Sequence, residues 1–378
     1  MTNEHRKDYA FTTDDPHAVT HDEQMFSGAT SFCRRRYTRA LSGVDVAVMG
    51  VPFDTSVTNR PGTRFGPRAV RAASTNLAWS RAWPSSFDPF ERLSVADWGD
   101  VALDLGYPQE VPGQIEAAVR AVLAEAGATL ILGGDHFTTY PSLKAHAAKH
   151  GAPLSLIQFD AHTDTWSDGD EKRIDHGTMF YHAAKEGIID PETSIQVGIR
   201  TTNDDPLGFT IRDAIWCHEH SPTEIAAEIR RVVGDRPTYM TFDIDGLDPS
   251  CAPGTGTPVV GGLFTWQALA ILRALKGINL VGMDVVEVSP AYDVAEITAL
   301  AGATIALGNL NLIAPVVSMF FLISYGLLNY ATYFEARAGS PSFRPRFRWF
   351  DQRLSLAGAL ACLAVMLAIN LSAGLIAM

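Results

Sequence analysis

The sequence predicts an α/β fold, three α/β/α layers around a mostly parallel sheet, on three observations. Short aliphatic runs alternate with helical stretches from residue 44 onward. The runs are apolar at nearly every position, the pattern of strands covered on both faces by crossover helices. Their carboxyl ends collect aspartate, glutamate and histidine, at the edge where open α/β sheets bind ligands. With 378 residues, 47% of them hydrophobic and 19% charged, the chain has the length and apolar content to pack such a core.

Taken in order, residues 1–43 read as an irregular N-terminal arm, and its opening "MTNEHRKDYAFTTDDPHAV" lacks the apolar segment of a secretion signal. The expectation is synthesis without export, with the folded domain cytoplasmic. The first strand is "VDVAVMGVPF". In "RPGTRFGPRAVR" that follows, Arg64 and Arg68 are candidates for anion binding or, equally, helix-start and surface-pairing residues. "QIEAAVRAVLAEAG" carries helical periodicity, and "ATLILGGDH" and "APLSLIQFDAH" are the next strands. "TSIQVGIR" is a fourth. "CHEH" (Cys217 to His220) reads as a loop leading into the N-capped helix "SPTEIAAEIRRVVG", and "PTYMTFDID" and "INLVGMDVVEV" complete the strands. The glycines of "GGDH" and "APGTGTPVVGG" are not followed by Lys-Ser/Thr, so they read as tight turns instead of a phosphate cradle.

A net charge of -12 and an isoelectric point near 5.3 argue against a general nucleic-acid binder and suit a cationic small molecule. The cysteines Cys33, Cys217, Cys251 and Cys362 form no CxxC pair, which points to a reducing compartment and away from a thiolate metal site.

Chemistry concentrates at four strand ends: His136 in "GGDH", Asp160 with His162 and Asp164 in "DAHTD", Asp243 with Asp245 in "DIDGLDP", and Glu287 in "VVEVSP". Buried charges of this density need a compensating cation. Two imidazoles and four carboxylates without thiolate favour harder ions, manganese or magnesium, over zinc. Four carboxylates also suggest two ions, and a metal pair about 3.5 to 4 Å apart can bridge and deprotonate one water.

"GGDHFTTYPSL", "FDAHTDTW", "DHGTMFYHA", "TFDIDGLDPSCAPGTGTPVVGG" and "VGMDVVEVSPAYDVAEITALA" resemble, in order and spacing, the ureohydrolases (arginase, agmatinase and relatives), and look most like bacterial agmatinases. The resemblance implies an arginase-like domain over 44–307, two manganese ions per subunit, and a homo-oligomer, trimer or hexamer. It further implies that His136, Asp160, Asp164 and Asp243 hold one ion and Asp160, His162, Asp243 and Asp245 the other, with Asp160 and Asp243 bridging. Glu287 would receive the substrate guanidinium, and His176 would protonate the leaving amine. The implied reaction is hydrolysis of a guanidinium group to urea and an amine. "DGDEKRIDHGTMF" lacks the arginase Ser-Gly-Asn/His-Gly pattern, so agmatine is expected, with Asp168, Asp170 and Glu171 as an acidic entrance for its amine. Guanidinobutyrate is the alternative substrate. A metallophosphoesterase is disfavoured by the order GGDH, DAHTD, DIDGLD without a GNH motif.

Composition changes at Gly308. Gly308 to Phe334 and Leu354 to Met378 contain no Asp, Glu, Lys or Arg and are long enough to cross a bilayer. Residues 308–378 therefore predict a C-terminal transmembrane hairpin, and resemble a two-helix piece of amino-acid-permease and cation-chloride-cotransporter-like transporters. The joining loop carries Arg337, Arg344, Arg346, Arg348 and Arg353, which places it in the cytoplasm and the enzyme domain outside, against the expectation of no export. A fusion or assembly artefact is one resolution. A membrane-anchored pseudo-enzyme or transporter remnant, damaged by loss of the family's terminal helix, is the alternative of a different class.

Overall fold

The computed structural model describes residues 24–78, 88–151, 153–170, 172–338 and 351–369. Within them the strands are β1 (Val46–Gly50), β2 (Val95–Asp100), β3 (Ala128–Leu132), β4 (Ser155–Phe159), β5 (Ile195–Ile199), β6 (Thr210–Asp213), β7 (Thr238–Asp243) and β8 (Leu280–Val286). They form one sheet in the order β2, β1, β3, β8, β7, β4, β5, β6, and every adjacent pair is parallel. The helices are α1 (Gly66–Ser74), α2 (Val111–Glu125), α3 (Thr139–His150), α4 (Met179–Lys185), α5 (Ala214–Glu219), α6 (Pro222–Val233), α7 (Thr265–Ala274), α8 (Ile297–Ala338) and α9 (Gln352–Ile369).

All residues of β1, β3, β4, β5, β7 and β8 are buried, so both faces of the sheet are covered. On α2 the buried residues Val111, Ile115, Val119 and Val122 recur at helical spacing and form the stripe that packs on the core. Ser221 caps α6 as expected, its hydroxyl accepting from Glu224 N–H while the Glu224 side chain returns to Ser221 N–H. "CHEH" is not a loop: Cys217 to Glu219 lie on α5, with Cys217 buried, because Asp213 caps that helix one turn earlier. The arm also departs from expectation where it is described, since Phe32, Cys33 and Arg34 are fully buried and Phe32 N–H donates to Asp97 at 2.8 Å. Residues 1–23 lie outside the described residues.

Sheet order is what positions the site. β3, β8, β7 and β4 are consecutive neighbours, paired through Leu130 with Met283, Thr241 with Asp284 and Phe159 with Phe242. Four motifs far apart in sequence therefore end side by side at one sheet edge.

The expected transmembrane hairpin is not found: among the described residues no helix is long and apolar enough to cross a membrane. The physical reason at its start is that the run from Gly308 continues a helix opened at Ile297, whose Ala299, Ala301, Ala303, Ile305, Ala306, Leu307 and Leu310 are buried. Of the expected span, Leu310 is core together with the residues before it, whereas Leu327 and Leu328 are exposed. The side chains at 309 and 311–324, the loop arginines Arg344, Arg346 and Arg348, and residues 370–378 lie outside the described residues. Two compact units result, divided between Asn311 and Leu312. In the second, Gly326 faces Cys362 and Gly358 faces Asn329, small residues that let α9 lie against the distal part of α8.

Candidate active site and metal centre

Each strand delivers its polar residues at or just past its carboxyl end. His136 follows β3, Asp160 to Asp164 follow β4, Asp243 ends β7 and Asp245 follows it, and Glu287 follows β8. Close backbone approach packs this edge: a Cβ on Gly134 would sit 1.7 Å from the Phe53 carbonyl oxygen, so only glycine is accommodated there. Asp164 and Glu287 adopt φ of 54° and 62°, a region that costs a non-glycine residue about 1–3 kcal/mol and that collects at functional sites.

The six expected ligands meet. His136 Nδ1 lies 3.0 Å from Asp160 Oδ2, 2.8 Å from Asp164 Oδ2 and 3.2 Å from Asp243 Oδ2. None of these contacts has hydrogen-bond geometry, so Nδ1 is a fully buried polar atom without a partner, facing three carboxylates. His162 Nδ1 lies 3.4 Å from Asp160 Oδ1 and 3.1 Å from Asp245 Oδ2. Two donor groups able to hold a cation follow, His136 with Asp160 and Asp243, and Asp160 with His162 and Asp245. Asp160 belongs to both. Asp243 belongs to the first alone, its Oδ1 accepting from Asp245 N–H at 2.8 Å.

Protonation shows the same crowding. Burial opposes the charge of His162, yet Asp245 and Asp160 push it up to about 12. Burial also works against His136, and Asp160, Asp164 and Asp243 hold it well above the usual imidazole range. Burial and the Asp160 charge lift Asp164 to about 6 and raise Asp245. Without a cation the four carboxylates draw protons onto themselves and the two imidazoles, which marks a donor set that a divalent cation would neutralise in their place.

A supporting shell fixes the donors. Gln158 Nε2 donates to Asp160 Oδ2 at 2.7 Å, and Gln196, opposite it in register, donates to Gln158 Oε1 at 2.6 Å. His136 Nε2 meets Thr241 Oγ1 at 2.8 Å, and Thr241 donates to Asp284, which also accepts from Thr139 and Tyr239. Such outer contacts set a ligand ring's tautomer and angle.

Glu287 is fully buried. Its Oε1 accepts from His136 N–H at 3.0 Å and from His176 Nδ1 at 2.9 Å, while Oε2 has no partner. Burial lowers the proton affinity of His176, but Glu287, with Asp164 and Asp135, pushes it up to about 9. Thr58 N–H, 3.1 Å from Nε2, favours the neutral ring instead. The carboxylate prevails, because a full charge at 2.9 Å outweighs one peptide dipole and Thr58 Oγ1, at 3.0 Å, can accept from a protonated Nε2.

A cavity of about 370 Å³ opens over this floor, lined among others by His162, Asp164, Asp243, Trp166, Asp168 and His176. Asp168 stands where the acidic entrance was expected. Asp170 does not: it lines a neighbouring cavity of about 1170 Å³ with Lys144 and Lys172. Glu171 lies outside the described residues. Arg64, partly exposed, pairs with the buried Asp54 at 2.5 Å, and Arg68 is exposed. Thr58, Arg173 and Asp175 line the small cavity and were not singled out in the sequence, which gives no signal for them. Gln158, Gln196, Thr241 and Asp284 were also passed over, although polar residues inside wholly apolar strands are such a signal.

Comparison with other proteins agrees with this geometry. The profile of the Arginase family matches residues 44–310. An agmatinase of Chromobacterium violaceum is 55% identical over 284 residues, 75% of this chain and 88% of that protein, and one of Proteus mirabilis is 51% identical over 294 residues, 77% and 95%. Among solved structures, a hypothetical agmatinase from Burkholderia thailandensis superposes with a TM-score of 0.76 at 55% identity, covering 77% of this chain and 92% of that one. Proclavaminate amidino hydrolase from Streptomyces clavuligerus gives 0.73 at 36% identity, covering 77% and 99%.

Proposed function

The chain belongs to the arginase family, and from that premise we propose that it is a ureohydrolase of the agmatinase type, hydrolysing the guanidinium group of agmatine to urea and putrescine. The observation that carries the reading is the meeting of two donor groups that share Asp160 with a buried carboxylate, Glu287, whose Oε2 is unpartnered.

His136, Asp160, Asp164 and Asp243 would hold one cation and Asp160, His162 and Asp245 the other, with Asp243, grouped here with the first alone, turning to share the second on binding, and this oxygen-rich set suits manganese. The unpartnered His136 Nδ1 among three carboxylates supports that fit. When bound, such a pair lowers the pKa of water and stabilises charge that develops on the reacting carbon's substituents.

The chain's own residues supply the rest. Glu287 receives the guanidinium at Oε2, a charge-assisted contact that turns the reacting carbon toward the metal groups. His176 holds a proton on Nδ1 against Glu287 and, at neutral pH, a second on Nε2. Guanidinium binding draws on the same carboxylate charge, weakens its hold on the imidazolium, and readies that proton for the leaving amine as the C–N bond breaks. Asp168 receives the distal ammonium of the substrate. A homo-oligomer is part of the same reading, and the exposed Val260, Phe264 and Trp266, close in sequence, are candidates for its contact face.

The test is urea release by manganese-loaded protein given agmatine, arginine and 4-guanidinobutanoate in parallel, with metal analysis of the same sample. Agmatine should have the highest kcat/KM, with two manganese ions per chain. Much faster turnover of either other compound would end the assignment.

A further inference from the structure

We propose that Asp168, Arg173 and Asp175 form a charge clamp at the mouth of the cavity that decides which distal charge a substrate carries, with Arg173 held in check by the two carboxylates so that an ammonium is accepted and a carboxylate refused. The inference rests on the reading of the site as a guanidine hydrolase and adds a determinant of its selectivity.

All three residues line the cavity that holds His162, Asp164, Asp243 and His176. Arg173 Nη2 lies 2.9 Å from Asp175 Oδ2 and Nη1 lies 3.3 Å from Asp168 Oδ2. The two acids are fixed and the arginine is not. Asp168 Oδ1 accepts from Asp170 N–H at 2.9 Å and Asp175 Oδ1 from Gly177 N–H at 2.8 Å, so each carboxylate is oriented by its own loop. Their side chains are 13% and 11% exposed, against 56% for Arg173. Ion pairs to so exposed a partner are weak and easily exchanged.

Charge then sets the sign of the preference. Two carboxylates and one guanidinium leave one net negative charge at the mouth, and among the described lining residues Arg173 is the sole lysine or arginine. An incoming ammonium replaces Arg173 between the acids at little cost, and Arg173 can withdraw toward the neighbouring cavity, which it also lines. Trp166, half exposed beside Gly177, offers an apolar wall for the methylene chain and a ring face for a cation. A substrate carboxylate meets the opposite situation, because the two fixed acids repel it and, with Arg173 shared between them, leave the mouth net negative. Neutralising one acid frees that guanidinium, so the same arginine that is silent in the wild type becomes a carboxylate receptor.

The experiment compares kcat/KM for agmatine and 4-guanidinobutanoate on the metal-loaded full chain, for wild type, Asp175→Asn, Arg173→Ala and the double variant. Asp175→Asn should move the ratio toward 4-guanidinobutanoate by at least about tenfold, the effect of gaining or losing a hydrogen bond to a charged group, and the change should be carried by KM. The double variant should lose that gain. Arg173→Ala alone should keep or lower KM for agmatine, and it remains informative if Asp175→Asn melts early. An unchanged ratio in Asp175→Asn, or a gain that survives removal of Arg173, overturns the clamp while leaving the hydrolase reading intact. Wild type that hydrolyses neither compound overturns both.

Discussion

Glu287 answers to two neighbours through one oxygen, which makes it the most consequential single residue of the site. Glu287→Gln keeps the shape and removes the charge, so it should lower kcat/KM for agmatine by about 10–100-fold, the range for losing a hydrogen bond between charged groups. Activity within threefold of wild type would show that the guanidinium is held elsewhere. The same substitution tests His176. A histidine held at about 9 in the fold, against about 6.5 when unfolded, adds stability that is full below about pH 6.5 and is lost as pH rises through about 9. The Tm gap between wild type and Glu287→Gln should therefore narrow between pH 6.5 and 9. If His176 also protonates the leaving amine, kcat/KM of the wild type should fall above about pH 9, and a flat profile to pH 10 would remove it from that role.

At the scale of elements, the edge strand β2 is tied inward by charge. Arg71 on α1 donates to both oxygens of Asp97, at 2.8 and 3.0 Å, and to Asp100 at 2.5 Å, while Asp97 also accepts from Phe32 N–H. Asp97→Ala leaves a buried guanidinium short of its main partner and should destabilise the fold by about 3–5 kcal/mol in urea unfolding. A loss below about 1 kcal/mol would mean that Asp100 alone suffices. The two strands that sequence reasoning missed, β2 and β6, are the two edges of the sheet. "VADWGD" and "TIRD" are half-solvated and polar, so they lack the continuous apolar text that made the six interior strands legible. The site divides in the same way. Ligand-type residues at the ends of legible strands could be read directly, whereas Thr58, Arg173 and Asp175 sit in loops whose position depends on tertiary packing, and nothing in their local pattern sets them apart.

For the molecule as a whole, the C-terminal boundary matters more than the composition of the text suggests. The first unit ends at Asn311, and Leu310 is fully buried within it. A chain ended after residue 311 should keep agmatine hydrolysis, while one ended after 307 forfeits Leu310 and should be less stable by about 2 kcal/mol. Equal melting of the two would place the limit of the core earlier. Within that whole, the floor of the site is assembled from four strands, whereas Trp166, Asp168, Arg173, Asp175 and His176 come from one short stretch of chain. On the proposed reading, the floor that breaks the bond cannot be altered piecemeal, whereas most of the rim that meets the guest, Thr58 and Thr257 apart, is a single cassette. Divergence among enzymes on this scaffold can therefore proceed by rewriting one loop, and a library confined to residues 166–176 would explore new guanidine substrates without touching the catalytic floor beyond His176.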